Sequence, residues 1–355
     1  MTMTSIPAAR SPRILICRLS AIGDCVLTMP VAVALRKHYP QAWISWVTQS
    51  AGASLLNDHA AIDEVITVPK GWIKSPRAVW RLRRQLQAAR YDWAVDPQSL
   101  TKSSLAARIS GASRRVGFAA TQGRELAPWL NNELVNRTAD HVAEAFLQLL
   151  QPLGIENPEV DFQMPVNPAA DQAIQSYCEP QVGTGRFAML NPGAGWDSRL
   201  WPLERYAQVA SFLGGSEGVP SLVAWAGERE RNWAEQIVAE SKGHATLAPD
   251  TSLPELVALT RRASLFVSSD TGPMHIAAAV DVPCVSLHGT TRAEHSGPHG
   301  NQHVRLQAYY QSGTSRYRRG APNEAMRAIP VEWVCQAVRE ILGRSSQSMN
   351  PADAA

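Results

Sequence analysis

Short apolar runs that end in a turn and give way to a helix recur along this chain. That alternation constrains the fold more than any other feature of the sequence. The sharpest instance begins at Ala263-Ser264-Leu265-Phe266-Val267, passes through Ser268-Ser269-Asp270-Thr271-Gly272-Pro273-Met274-His275, and continues as Ile276-Ala277-Ala278-Ala279-Val280. The first run reads as a buried strand and the last as the start of a helix. Pro273 suits a first helical turn, where the missing N–H has no partner to lose. A strand, a tight turn and outward-pointing helical N–H groups make an anion site, with phosphate as its natural occupant. The plainer reading is that Ser269 or Asp270 caps the helix and does nothing else.

The pattern fills the rest of the sequence. In the first half, Arg13–Leu19, Trp43–Thr48, Glu64–Pro69 and Trp93–Val95 read as strands, and Val26–His38 and Pro76–Arg90 as helices. In the second half, Phe187–Leu190 leads into Asn191-Pro192-Gly193-Ala194-Gly195, Ser221–Trp225 into Ala226-Gly227-Glu228, and Pro283–Leu287 into His288-Gly289. Strands alternating with helices imply an α/β chain with parallel sheets and crossover helices. Ligands of such sheets bind at the carboxyl ends of the strands.

A chain of 355 residues is long for one domain. The stretch Asn157–Thr184, rich in Pro, Asn and Gln, is where two domains are expected to connect. The boundaries that follow are a flexible N-terminus over 1–12, a first domain over 13–165 and a second over 166–343. The last amphipathic helix, Val331–Leu342, is expected to stop at Gly343, leaving a disordered tail over 344–355.

Composition removes several classes. A net charge of +3 does not suggest nucleic acid as a partner. The five cysteines form no C-x-x-C pair, which points to a reducing compartment rather than to zinc or disulfides. Ile14-Leu15-Ile16 is too short for a signal-peptide core and no run reaches a membrane span, so a cytoplasmic protein is expected. The nine histidines show no H-E-x-x-H or similar spacing, so no metal is assigned. Arg18-Leu19-Ser20-Ala21-Ile22-Gly23-Asp24 stands where a G-x-G-x-x-G would follow the first strand, which argues against a nicotinamide or flavin enzyme.

Each remaining candidate has a functional reading and a bland one. Asp24 is either a helix-capping carboxylate or a general base that takes a proton from an attacking hydroxyl. Asn191–Gly195 is a simple turn, or a loop that lets a ligand approach the backbone. Arg199 is solvated or binds phosphate bidentately. Glu228 is an idle surface group or accepts from ribose hydroxyls, and His275 packs or donates to a ligand. Lys70, Lys74, Arg77, Arg81, Arg83 and Arg84, interleaved with Trp72 and Trp80, form either a solvated helix face or a surface for an anionic acceptor or membrane.

Four of these segments, in order, resemble the lipopolysaccharide heptosyltransferases of glycosyltransferase family 9. They are Arg18–Asp24; Asp96-Pro97-Gln98-Ser99-Leu100-Thr101-Lys102-Ser103, similar to a D-x-Q-x-x-x-K-S segment; Asn191–Pro202 with Arg199, Trp201 and Pro202; and Ser269–His275, similar to S-D-T-G-x-x-H. The resemblance spans most of residues 13–343. It implies a GT-B fold of two Rossmann-like domains with a central cleft and a C-terminal helix. It implies inverting transfer of a heptose from ADP-heptose to a Kdo or heptose hydroxyl of the lipopolysaccharide inner core.

By the same resemblance Asp24 is the catalytic base. Asn191, Gly193, Arg199, Glu228, Asp270, Thr271, Gly272 and His275 bind the donor. Ser20, Gly23, Asp96, Gln98, Lys70, Lys74 and Arg77 meet an anionic lipopolysaccharide-precursor acceptor. No cofactor or metal is implied, nor any nucleic-acid partner. The family suggests a monomer, and leaves room for peripheral contact with the cytoplasmic face of the inner membrane. The run Gly289-Thr290-Thr291-Arg292-Ala293-Glu294 departs from the expected G-P-T-D-P-like pattern, and Gln307–Pro322 carries no family feature. The rival readings are a GT-B enzyme for another nucleotide sugar, a 2-epimerase of that fold, or a non-catalytic nucleotide- or glycolipid-binding protein. A dehydrogenase is the outside option.

Overall fold

The computed structural model describes residues 11–119, 123–181 and 185–348. The chain divides into two compact units, Met1–Ala139 with Ala143–Pro165, and Asp140–Val142 with Val166–Ala355. The expected flexible N-terminus lies outside the described residues except for positions 11 and 12.

The first unit is built on β1 (Arg13–Cys17), β2 (Trp43–Thr48), β3 (Glu64–Thr67), β4 (Trp93–Val95), β5 (Arg114–Phe118) and β6 (Glu133–Val135). They lie in the order β3-β2-β1-β4-β5-β6, and every pair is parallel. The second unit holds β7 (Ala188–Asn191), β8 (Ser221–Val223), β9 (Ala245–Leu247), β10 (Leu265–Ser269), β11 (Cys284–His288) and β12 (Val304–Gln307). Their order is β12-β11-β10-β7-β8-β9, again all parallel. Counted from its own first strand, each sheet has the doubly wound order 3-2-1-4-5-6. The chain direction reverses between β1 and β4 in one unit, and between β7 and β10 in the other. Those switch points are where such sheets take ligands.

The central strands are apolar on both faces because helices cover both. Ile14, Leu15, Ile16 and Cys17 of β1 are fully buried, as are Ala188, Met189 and Leu190 of β7 and Leu265, Phe266 and Val267 of β10. The first core gathers Leu15, Val47, Val68, Trp72, Leu82, Leu86 and Ala106. The second gathers Leu190, Trp201, Tyr206, Val267, Leu287, Ile329 and Val338. Trp201 meets Tyr206 edge-on at 5.0 Å, and its indole N–H donates to the Ile329 carbonyl at 3.1 Å. This pins the segment that follows β7 to the core.

Two expected boundaries move. The first helix runs Ile22–His38, starting a full turn before Val26. The last helix runs Val331–Ser348 straight through Gly343. Glycine lowers helix propensity without stopping a helix whose flank packs well. Here Ile341 and Leu342 are buried, and Arg344 pairs with Glu340 one turn back. The tail expected over 344–355 is therefore helical to Ser348, and 349–355 lies outside the described residues.

Candidate functional site

In the first unit the β1–β4 switch point is held by side chains. The loop after β1 places Ala21 at the N-cap of Ile22–His38 and Asp24 in its first turn. Asp24 is thus not the N-cap; its Oδ2 accepts from the Ala21 N–H at 3.2 Å, the returning half of a capping box. Its Oδ1 pairs with Arg18 Nη2 at 2.7 Å, and the Asp24 side chain stays 44% exposed while Arg18 is 6%. A buried guanidinium thus fixes a carboxylate that solvent still reaches. Arg18 is itself held by the Pro97 carbonyl at 3.3 Å and lies over the Phe146 ring at 4.9 Å. Gln98 accepts from the Leu19 N–H at 2.9 Å, and Lys102 donates to Ser20 Oγ at 2.9 Å. Burial, then the Arg18 charge, push the Lys102 pKa down. The Cys25 thiol beside Asp24 is pushed up to about 11 by burial, so it stays a thiol at neutral pH.

Ser20, Gly23, Asp24 and Gln98 come together here. Asp96 is a correction. It is completely buried, and its carboxylate accepts from Ser99 N at 3.0 Å, from Asn131 Nδ2 at 3.3 Å and from the Ser104 hydroxyl. Burial raises its pKa. It organises the loop carrying Gln98 and has no surface left for an acceptor. Lys70, Lys74 and Arg77 follow β3 and are exposed. Parallel pairing brings the ends of β3 and β1 to the same edge of the sheet.

In the second unit the β7–β10 switch point is built from backbone, hydroxyls and amide. Thr271 caps the helix Gly272–Ala279, its Oγ1 accepting from Met274 N at 3.4 Å. The expected alternatives, Ser269 and Asp270, are both buried and cap nothing. Asn191 Nδ2 spans the switch point, donating to Ser268 Oγ at 2.9 Å, to the Gly193 carbonyl at 3.3 Å and to Thr271 Oγ1 at 3.4 Å. The first-turn N–H of Gly272 has no acceptor within its helix, by helix geometry.

Asp270 turns inward. It is 4% exposed, and Oδ2 accepts from Ser296 Oγ at 3.0 Å while Oδ1 lies 3.4 Å from His275 Nε2. Arg199 Nη1 reaches the Asp270 carbonyl oxygen at 3.0 Å and its carboxylate at 3.5 Å. Burial alone would raise this carboxyl, but the His275 hydrogen bond and the Arg199, His275 and His288 charges hold it far below the usual range. Arg199 also stacks over Trp196 at 3.8 Å, with Arg319 5.1 Å from the same ring.

Gly193 is buried, and a Cβ there would lie 2.5 Å from Glu230 Oε1. Glu230 in turn accepts from the Ala226 N–H at 2.9 Å, and burial raises its pKa. Glu228 is exposed in the first turn of the helix Gly227–Glu240.

Sequence reasoning missed Ser296, Glu230 and Trp196, and gave no role to Arg18 or Lys102. Arg18 and Lys102 carried a signal, as the first residue of the Arg18–Asp24 segment and the lysine of the D-x-Q-x-x-x-K-S segment. The stretch Gly289–Glu294 that departs from the expected pattern is stitched in place. Arg318 Nη1 donates to the Thr290 carbonyl at 2.7 Å, and Ser198 Oγ donates to the Arg318 carbonyl at 2.7 Å. No described helix is long and apolar enough to cross a membrane.

The model of glycosyltransferase family 9 (heptosyltransferase) matches residues 79–324. Lipopolysaccharide heptosyltransferase 1 of Escherichia coli strain K12 is 26% identical over 304 residues, covering 82% of this chain and 92% of its own. The crystal structure of a family 9 glycosyltransferase from Veillonella parvula superposes with a TM-score of 0.79 at 21% identity, over 94% of this chain and 97% of that one. The E. coli heptosyltransferase WaaC with ADP gives 0.76 at 23% identity, over 93% and 99%. These likenesses give the chain the GT-B fold.

Proposed function

The chain belongs to glycosyltransferase family 9, and from that premise we propose that it moves a heptose from ADP-heptose to a Kdo or heptose hydroxyl of the lipopolysaccharide inner core, with inversion. Asp24 removes the acceptor hydroxyl proton as its oxygen attacks the anomeric carbon on the face opposite the diphosphate. The new C–O bond forms as the bond from the anomeric carbon to the diphosphate oxygen breaks, and ADP leaves carrying the negative charge. The Gly272 N–H, the Thr271 hydroxyl and Arg199 are the groups we assign to that charge, pre-aligned by Asn191 and Trp196. Asp270 holds Arg199 and His275, and Glu228 takes the nucleoside hydroxyls. With these donors in place the step calls for no metal and no cofactor. Lys70, Lys74 and Arg77 receive the anionic acceptor, together with Ser20, Gly23 and Gln98. Asp96 acts behind them.

The reading places the protein as a monomer in the cytoplasm, meeting its lipid-borne acceptor at the inner membrane. The observation that supports it most is the Asn191–Ser268–Thr271 triad at the start of the helix Gly272–Ala279, a neutral anion cradle at a topological switch point. Calorimetric titration with ADP-, GDP- and UDP-sugars tests it. ADP selectivity is expected, and a clear preference for UDP would sink the heptose assignment.

A further inference from the structure

The helix Pro76–Ala89 carries more than the fold asks of it. Its inner side is spent on packing, with Leu82 and Leu86 buried in the first core. Ser75 caps its start, accepting from Ala78 N at 3.3 Å, and Pro76 opens its first turn. The outer side follows the three-and-four spacing of a helix face: Arg77, Trp80, Arg81 and Arg84, with Arg83 on the flank. All five are exposed, Trp80 to 62%. The Arg84 guanidinium lies 5.6 Å from the centre of the Trp80 ring.

Charge around this face is one-sided. From Val65 to Tyr91 the sequence holds Lys70, Lys74, Arg77, Arg81, Arg83, Arg84 and Arg90 and no carboxylate. Since the whole chain carries only +3, the remainder is net negative. A helix of mixed charge in the same protein looks different. Gly227–Glu240 interleaves Glu228, Arg229, Glu230, Arg231 and Glu235, and pairs Arg231 with Glu235 at 3.0 Å. Among the described residues Arg81, Arg83 and Arg84 make no ion pair with a carboxylate. Leaving a large aromatic ring exposed among unpaired arginines gains nothing for stability, but it suits the headgroup layer of a bilayer. There an indole sits between water and acyl chains, and each cation is drawn to anionic lipid.

We propose that Trp80, Arg81, Arg83 and Arg84 form the docking face by which this protein sits on an anionic lipid bilayer. Docking there leaves Lys70, Lys74 and Arg77, at the helix start and the turn before it, for the acceptor's own anionic groups. The proposal rests on the transferase reading for its biological sense, because the acceptor is then anchored in the same bilayer. Its physical basis, an amphipathic helix with an aromatic and unpaired cations on its free side, is independent of that reading.

Sedimentation of the full chain with phosphatidylcholine vesicles, with and without phosphatidylglycerol, tests it. The wild type should bind only the anionic vesicles and lose affinity as salt rises. Replacing three arginines together (R81Q, R83Q and R84Q) should weaken binding on the order of a hundredfold, given the attraction of each cation near such a surface. Lysine at the same three positions should restore most of it, and W80A should weaken it severalfold. ADP affinity and melting temperature, measured on every variant, should not move. Equal binding of the glutamine variant and the wild type would overturn the proposal. So would a wild type that ignores anionic vesicles, or that binds a single-stranded oligonucleotide in preference to them. If the wild type fails to bind ADP, the transferase reading falls while the vesicle result is judged on its own.

Discussion

The two switch points share one topology and are furnished in opposite ways. At β1–β4 a buried arginine, an accessible carboxylate and a lysine do the work, so the site is a set of formal charges held by side chains. At β7–β10 the surface offered is mainly a helix start and a hydroxyl, with Arg199 beside them and the Asp270 carboxylate turned inward. A carboxylate facing solvent can take a proton. A helix start with its carboxylate hidden can receive a leaving anion. The same strand order can therefore carry two different chemistries, because what differs is the loop after each strand, which the sheet leaves free to vary.

The strongest way to break this contrast is Asp24→Asn. The amide still accepts from the Ala21 N–H but is no base, so turnover should fall by roughly 10²–10⁴ with ADP affinity unchanged in calorimetry. Retained turnover would remove Asp24 from the chemistry.

Acid should separate the units next. His141, His288 and His303 belong to the second unit, and burial lowers each from the ordinary histidine value to about 4. In the first unit His59 is lowered, again by burial. A depressed folded-state pKa means the unfolded chain binds the proton first. The stability these neutral rings contribute is complete above about 6.5 and is lost as pH falls through that value towards 4. Unfolding of the second unit should shift by a few kcal/mol between pH 7 and pH 5, seen as a falling melting temperature. The Asp270 carboxyl, held far lower, adds its own loss only in stronger acid. A melting curve flat over this window would contradict the burial of these rings.

Gly193→Ala probes the neutral cradle. The added Cβ must displace the Glu230 carboxylate from its place against Gly193 and the Ala226 N–H, at a cost of about 1–3 kcal/mol. We expect ADP affinity to drop about tenfold for the lower end of that range, while a variant that binds ADP normally would show that the loop adapts. The smallest effect is Thr271→Ala, which removes a helix cap worth about 1 kcal/mol. Thr271→Ser should retain the melting temperature that the alanine loses, and equal melting of the two would deny the cap.

The central strands and their loops were legible in the sequence because each is a local pattern: an apolar run, then Gly, Asp or Asn. β5, β6, β9 and β12 were not. Arg114-Arg115-Val116-Gly117-Phe118 and Ala245-Thr246-Leu247 are short, flanked by polar residues, and become strands by pairing with β4 and β8. The catalytic proposal for Asp24 rested on a motif that also holds Arg18, but that the two side chains pair could not be read from spacing. Arg18 is fixed by Pro97 and Phe146, which only the fold brings near. Asp96 failed for the converse reason. A polar residue in a matching segment looks like a ligand until its burial is known.

The register of β1 has a consequence for how the chain is made. β1 is synthesised first, yet it lies inside its sheet, and one of its neighbours, Trp93–Val95, emerges from the ribosome only after two crossovers have been completed. β7 waits in the same way for β10. Until then Ile14, Leu15 and Ile16 form an unpaired apolar edge on a nascent chain, the kind of segment that chaperones shield. A fragment released before Trp93 should be cut rapidly by protease, and one extending through β6 and on to Pro165 should resist. Protection of the shorter fragment would mean that β1 finds its place before its partner exists.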